Sequence, residues 1–294
     1  MNKSGYSLIE FLITIFLFGI IGSIVFAFYI NFQNKSINEI TNSDLYERAN
    51  RIMLYLTKEI RTAGFMVSSI PKYSDNSKLI IEGKTYDYSI VPENFSGNNG
   101  SDNITIVKAV SNLPEIHVVQ NYKSNSNIIL VDNDFGNFFK IDSSKNHLIF
   151  ENHKVVYKIT NITGKTITLQ RLLKEKVPKN TAVLGVRALK FYVDDGALKL
   201  NDFNEISIID DSIDGLQFQY ILEDGSIVNN PSGSTIEKIR AIKVFLLVRA
   251  QRIYKNYKDS KSYILADTVY GPFNDSYKRV YLENVIEVKN YAYE

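Results

Sequence analysis

The histidines and the acidic clusters are the residues of this chain whose types could do chemistry. Its three histidines, His117, His147 and His153, lack the close spacing of metal ligands and form no HExxH motif. Residues 210–215 place oxygen-bearing side chains at the first, third and fifth positions of a calcium loop. Ile221 stands where the closing bidentate glutamate belongs, so this stretch instead predicts a turn that enters a strand.

Other catalytic patterns are absent from the sequence. It has no cysteine, which excludes disulfides and thiol catalysis, and it contains no P-loop, GxSxG motif or GxGxxG motif before a helix. The adjacent carboxylates of Asp194 and Asp195 precede Gly196, and a hairpin turn accounts for them. The sequence therefore predicts a protein that is not an enzyme and that has neither a cofactor nor a metal.

One acidic residue occupies an unusual position. Glu10 lies within an apolar run over residues 6–30, and no charged residue occurs from Phe11 to Asn34. As a helix this run would rise about 37 Å, enough to cross a bilayer core of roughly 30 Å. A carboxylate beside such a segment is costly and is usually retained for a function. Glu10 is therefore a candidate functional residue.

The residues around Glu10 resemble a known processing site. A five-residue leader ends at Gly5, Tyr6 follows directly, and no small-x-small signal-peptidase site appears. This arrangement resembles the N-terminus of type IV prepilins, although that family usually has Phe or Met where this chain has Tyr6. The resemblance implies that prepilin peptidase cleaves after Gly5 and N-methylates Tyr6, and that Glu10 is the family's assembly glutamate. The alternative is a plain single-span anchor with a chance glutamate.

The elements beyond the apolar run follow from periodicity. Apolar residues recur at three- to five-residue steps over residues 31–65, which predicts an amphipathic continuation of the helix with Gly64 as its C-cap. A break near residues 31–34 is the alternative. Beyond residue 66, alternating and β-branched segments separated by turn signals predict strands. These segments are residues 78–82, 85–90, 103–107, 127–131, 147–151, 154–160, 166–172, 184–193, 216–222, 239–248 and 278–288.

The predicted fold class is α+β: a long N-terminal helix, transmembrane in its first half, packed on a β-rich and mainly antiparallel body. The predicted domains are a leader (1–5), a transmembrane half (6–30), an amphipathic half (31–65) and an extracytoplasmic body (66–294). Alternation within residues 239–248 predicts a half-buried strand, with Lys243 on the face away from the core.

Several body segments narrow the resemblance. Residues 57–65, 187–199, 213–220, 239–249 and 281–290 are similar, in order, to segments of PilW-type minor pilins and J-type pseudopilins. Residues of about 70–180 match neither family, whereas residues of about 181–294 are PilW/J-like. The resemblance implies a type IV pilin-like fold and a minor pilin that takes part in initiation or tip assembly of a type IV pilus.

Two alternative functions are a J-like pseudopilin of a type II secretion system and a membrane-tethered adhesin or binding protein. The expected partners are prepilin peptidase, other minor and major pilins, the inner-membrane assembly platform and the lipid bilayer. A net charge of +2 gives no electrostatic case for nucleic acid. The expected location is the inner membrane, with the body outside the cytoplasm, and then the pilus.

Overall fold

The computed structural model describes residues 8–67, 79–81, 84–254 and 257–291. The chain divides into two compact units, Met1–Arg48 and Ala49–Glu294. Helix α1 (Leu8–Arg61) begins in the first unit and ends in the second. The α+β class predicted from the sequence is confirmed.

The first unit is the apolar part of α1. Its segment Leu8–Gln33 is long and apolar enough to cross a membrane, and all of its side chains are exposed. The first proline of the sequence is Pro71, so every residue of this segment has a backbone N–H and none interrupts the helix as proline would. The helix is continuous through residues 31–34, so the break considered there does not occur.

In the second unit, the last turns of α1 are amphipathic. Ile52, Leu56 and Ile60 are buried at four-residue steps, whereas Leu54 and Lys58 are exposed. This burial confirms the predicted amphipathic pattern for the part of α1 that lies in this unit.

The body that follows α1 is built from short and long strands. In chain order they are β1 (Leu79–Ile81), β2 (Lys84–Tyr86), β3 (Ile90–Glu93), β4 (Asn103–Val110), β5 (Ile128–Leu130), β6 (His147–Phe150), β7 (Val156–Thr163), β8 (Thr166–Leu169), β9 (Val183–Asp194), β10 (Ala197–Asn201), β11 (Ile206–Asp210), β12 (Ile213–Leu222), β13 (Ile227–Val228), β14 (Ile239–Arg249), β15 (Tyr263–Leu265), β16 (Thr268–Tyr270) and β17 (Arg279–Glu287). Short 3-10 turns occupy Asn98–Gly100, Gly233–Lys238 and Lys289–Tyr291. All strand pairs among the described residues are antiparallel.

The larger sheet has nine strands and is organised around β9. Its main path runs β11-β10-β9-β6-β7-β8-β5, and β4 joins β9 while also pairing with β3. The twelve residues of β9 are long enough to pair with β10, β6 and β4 along their length. The strand therefore connects the segment with no family resemblance, which includes β4 to β8, to the remainder of the body.

Part of this sheet encloses its own apolar core. Seventeen buried side chains between Ile116 and Val183 form one cluster, which includes Phe135, Phe150 and Tyr157. Nearly all of the cluster belongs to the region with no family resemblance. This region therefore contributes a hydrophobic core of its own to the body, and not only loops.

The smaller sheet has the order β13-β12-β14-β17. Val244 and Leu246 of β14 are fully buried, as the predicted alternation requires. Phe245 and Leu247, on the opposite face, are also buried because Leu265 and Tyr270 of the β15–β16 hairpin cover them. The prediction of a half-buried strand is therefore wrong for this part of β14.

The C-terminal end of α1 is joined to both sheets. The backbone N–H of Gly64, at φ +75°, donates to the Val107 carbonyl of β4 at 2.9 Å. Two residues further along β4, the Ala109 N–H donates to the Phe65 carbonyl at 2.9 Å. On the other sheet, the Asn284 amide of β17 donates to the Thr57 hydroxyl at 3.1 Å.

Candidate functional site

The predicted processing and assembly residues lie at the start of the chain. Gly5 and Tyr6 are outside the described residues. Glu10 lies in the first turn of α1, where its side chain is exposed, and its backbone carbonyl accepts a hydrogen bond from the Thr14 hydroxyl at 2.7 Å. Thr14 uses the helical i, i+4 spacing to satisfy its hydroxyl within the helix, which suits an apolar surrounding.

Small residues follow Glu10 on α1. A Cβ added at Gly19 or Gly22 would meet nothing within 4 Å, and the Ser23 hydroxyl donates to the Ile20 carbonyl at 2.7 Å. Large side chains are therefore missing from the helix surface at these glycines, and the Ser23 hydroxyl is already hydrogen-bonded within the helix. Such a surface allows a second apolar helix to approach closely.

The three histidines lie in three different environments. His117 is flanked by the carboxylates of Glu115 at 3.5 Å and Asp132 at 3.4 Å. His153 contacts two backbone carbonyl oxygens with its ring nitrogens, whereas His147 is buried in β6. In the described parts of the chain, no three potential ligands are close enough to hold a metal ion.

The acidic stretch at 210–215 is the connection between β11 and β12, as the sequence predicted. The Asp210 carboxylate accepts the Ser212 N–H at 3.0 Å, and Asp211 accepts the Gln251 amide at 3.1 Å. Asp214 pairs with Arg279 at 2.6 Å. The carboxylates are therefore engaged with the protein itself.

Arg279 is the centre of a buried ionic cluster. Its side chain is 1% exposed, and it binds Asp214, Asp259 at 3.0 Å and Asp275 at 2.6 Å. Burial alone would lower the pKa of Arg279, but Asp275, Asp214 and Asp259 together raise it above its usual value. The Arg279 hydrogen bonds in turn lower the pKa of Asp275. The guanidinium lies 3.6 Å from the Phe273 ring, so this cluster fixes the loop before β17 to the sheet.

Comparisons with known proteins give two matches in separate parts of the sequence. The prokaryotic N-terminal methylation motif matches residues 1–26. The family model described as type IV pilus-assembly protein W, PilW, matches residues 193–290. These matches confirm the resemblance inferred from residues 5–10 and from the C-terminal segments.

Among solved structures, a type IV-like pilin from Thermus thermophilus is similar, with 11% identity and a TM-score of 0.41. The match covers 84% of this chain and 97% of that one. No curated protein sequence matches this chain. Residues 1–26 are thus similar to a prokaryotic N-terminal methylation motif, and residues 193–290 are similar to the PilW family model.

Proposed function

We propose that this protein is a minor pilin that takes part in the initiation or tip assembly of a type IV pilus. The observation that carries the proposal is the order of features along the chain. An N-methylation motif overlaps a helix long enough to cross a membrane, and a match to the PilW family model follows at residues 193–290. A pilin needs its apolar helix directly after the processing site, because this helix anchors the precursor in the membrane and later contacts other subunits in the pilus.

Processing would take place at the junction of Gly5 and Tyr6. Prepilin peptidase cleaves there and methylates the new amine of Tyr6. Cleavage removes Lys3 with the leader and leaves a positive amine at the start of the apolar helix. The N-methylation motif over residues 1–26 supports this step.

Glu10 would then act in assembly. The Tyr6 amine of one subunit and the Glu10 carboxylate of a neighbour carry opposite charges within otherwise apolar helices. In a low-dielectric bundle such a pair sets the axial register, even where desolvation offsets much of its attraction. The open surface at Gly19 and Gly22 allows the two helices to approach closely.

The partners follow from this sequence of events. The precursor meets prepilin peptidase in the inner membrane, with its body outside the cytoplasm. The mature chain then joins other minor and major pilins at the assembly platform. The described segment Leu8–Gln33 supports membrane anchoring by its length and apolar composition.

The experiment is deletion of the gene, followed by complementation with the natural chain, Glu10→Gln or Glu39→Gln. Glu39 is the matched control, because it is an exposed carboxylate on the same helix but lies beyond the apolar segment. We expect deletion to reduce the number of surface pili. Glu39→Gln should restore pili, and Glu10→Gln should restore fewer of them, although peptidase cleavage remains complete. Equal piliation with and without the gene would overturn the proposal.

The same strains test the rival function. A J-like pseudopilin of a type II secretion system also needs a prepilin N-terminus, so processing alone cannot separate the two. Secreted proteins in the culture medium are therefore measured beside the pili. Loss of secretion with normal pili would favour the pseudopilin, whereas loss of pili with normal secretion supports the minor pilin.

A further inference from the structure

A polar pocket lies on the larger sheet. Its volume is about 330 Å³, and its polar lining includes Asn98, Asn103, Lys190, Tyr192, Asp194 and Asn201. Its lining includes residues 96–98 and Asp194, which begins the hairpin turn predicted from the sequence. None of its residues takes part in the proposed processing or assembly.

The sheet register explains why these side chains meet. Lys190, Tyr192 and Asp194 alternate along β9, so they share one face of the sheet. Asn201 of β10 is the cross-strand partner of Lys190. Asn98 belongs to the 3-10 turn before β4 and closes one side of the pocket. The lining is therefore carried mainly by regular backbone, which holds it in position.

The charged groups of the pocket are already balanced. Asp194 accepts the Asn98 amide at 3.0 Å on one oxygen and the Lys199 ammonium at 2.7 Å on the other. Lys190 pairs with Glu93 at 2.6 Å, and hydrogen bonds from Lys190 and Lys84 lower the pKa of Glu93 despite its burial. A ligand that needs a full countercharge has little to bind here. A neutral ligand would instead meet fixed, oriented dipoles.

Two hydrogen-bonding groups of the lining remain available. In the described part of the chain, the Tyr192 hydroxyl makes no hydrogen bond, and the Asn201 amide uses only its oxygen, which accepts the Phe203 N–H at 2.7 Å. Asn103 differs from them, because it is only 4% exposed and its Oδ1, which accepts no hydrogen bond in that part of the chain, is itself shielded from solvent. Polar groups that a ligand covers are costly when left unpaired, so a ligand that bonds to Tyr192 and Asn201 gains affinity.

Gly97, which also lines the pocket, packs closely against Asn103. A Cβ at position 97 would lie 3.0 Å from Asn103 Oδ1 and 3.0 Å from the Ser101 carbonyl oxygen. The backbone of Gly97, at φ −94°, is extended, a conformation open to any residue. The close approach of Asn103, and not the turn conformation, therefore requires glycine here.

We infer that this pocket binds a neutral saccharide. Amide and carboxylate groups held by the protein can donate to and accept from adjacent sugar hydroxyls. The half-exposed ring of Tyr192 offers an apolar surface for the C–H face of a pyranose. The volume is near the lower end of ligand pockets, about 300–1,000 Å³, which suits one or two sugar rings. The inference is independent of the pilus function proposed above.

The test uses the full-length chain in phospholipid nanodiscs, because glycoside detergents would themselves present sugar. Glucose, galactose, mannose, N-acetylglucosamine, lactose and maltose are titrated at millimolar concentration and followed by saturation-transfer NMR. We expect at least one of them to bind. Tyr192→Ala and Asn98→Ala should each weaken that binding by about tenfold, as loss of a central contact does.

The matched control is Asn133→Ala, which also removes an amide that donates a single hydrogen bond, to the Glu115 carbonyl, outside the pocket. It should bind sugar as the natural chain does. Asn98 lies on an exposed turn, so Asn98→Ala decides the question if Tyr192→Ala fails to fold. Absence of binding for all six sugars, or equal binding by Asn98→Ala and the natural chain, would overturn the inference. Binding only of inorganic phosphate or sialic acid, titrated in parallel, would also overturn it.

Discussion

Arg279 joins three carboxylates that come from separate parts of the chain. Asp214 lies in β12, whereas Asp259 and Asp275 lie in the long connection between β14 and β17. The cost of burying an arginine is offset only while all of these partners remain in place. The cluster therefore makes the position of this connection depend on a single side chain.

Arg279→Leu should lower the free energy of unfolding by about 3–5 kcal/mol, because Asp259 would remain buried without a countercharge and Asp214 would keep only its longer contact with Arg249. Arg249→Leu is the matched control. Arg249 also contacts Asp214, at 3.5 Å, but its side chain is 32% exposed, so its loss should cost below about 1 kcal/mol. Denaturant unfolding of the two variants measures the difference. Equal costs would mean that the cluster is not a buried network.

His147 makes the stability of the body depend on pH. Burial, followed by the nearby charges of Lys158 and Arg187, lowers the pKa of His147 from 6.5 to about 4. Its Nδ1 has no hydrogen-bond partner in the described residues, which agrees with a neutral buried ring. Because the folded pKa lies below the unfolded one, the unfolded chain takes up the proton first as the pH falls. The stability that depends on a neutral His147 is therefore fully present above pH 6.5 and is lost as the pH falls from 6.5 to 4.

His147→Phe should remove this dependence. The natural chain should lose about 3 kcal/mol of stability relative to the variant between pH 7 and pH 4. Denaturant unfolding at several pH values measures the difference in the free energy of unfolding between the two proteins. A difference that stays constant across this range would contradict the assignment.

At the level of elements, the last turns of α1 offer a direct test of packing. Leu56 is fully buried, whereas Leu54, two residues away on the same helix, is 69% exposed. Leu56→Ala should cost about 2–5 kcal/mol, since a buried side chain is removed and a cavity remains. Leu54→Ala should change the free energy of unfolding by no more than about 0.5 kcal/mol. Thermal unfolding of both variants provides the measurement, and similar melting temperatures would contradict the assigned helix face.

Long elements could be predicted from the sequence because their periodicity extends over many residues. Helix α1 was expected over residues 6–65, with Gly64 as its C-cap, and is found at Leu8–Arg61, and β9, β12 and β14 were located to within about three residues. Strands β11, β13, β15 and β16 were missed, and so was β3 apart from Ile90. Each has five residues or fewer, which is too short for alternation to stand out from a loop.

The sequence could not predict which elements cover one another. Phe245 and Leu247 of β14 alternate as a solvent-facing set would, and their burial depends on a hairpin that begins sixteen residues after Leu247, at Tyr263. The polar pocket is similar, because residues near 98, 103, 192 and 201 meet only through sheet register. By contrast, Gly5, Tyr6 and Glu10 form a local pattern, which is why the sequence alone could predict them as processing and assembly residues.

For the whole molecule, maturation is the earliest step that a variant can interrupt. Gly5→Leu should leave the leader attached, because a bulky residue at the cleavage position would not fit the peptidase. Gly19→Ala is the matched control, since a Cβ there meets nothing within 4 Å, and it should be processed normally. Intact-mass spectrometry of the membrane fraction distinguishes the precursor from a mature chain that begins with methylated Tyr6. Normal maturation of Gly5→Leu would exclude the prepilin assignment.

The joint between α1 and the body has a mechanical consequence. The end of α1 is hydrogen-bonded to β4 of the larger sheet and to β17 of the smaller one. A pull on the last turns of α1 would therefore be shared between the two sheets. Hydrogen bonds that share a load give way at nearly the same moment. The force needed to separate the end of α1 from the sheets therefore exceeds the force that breaks any single hydrogen bond. The joint is built to carry tension.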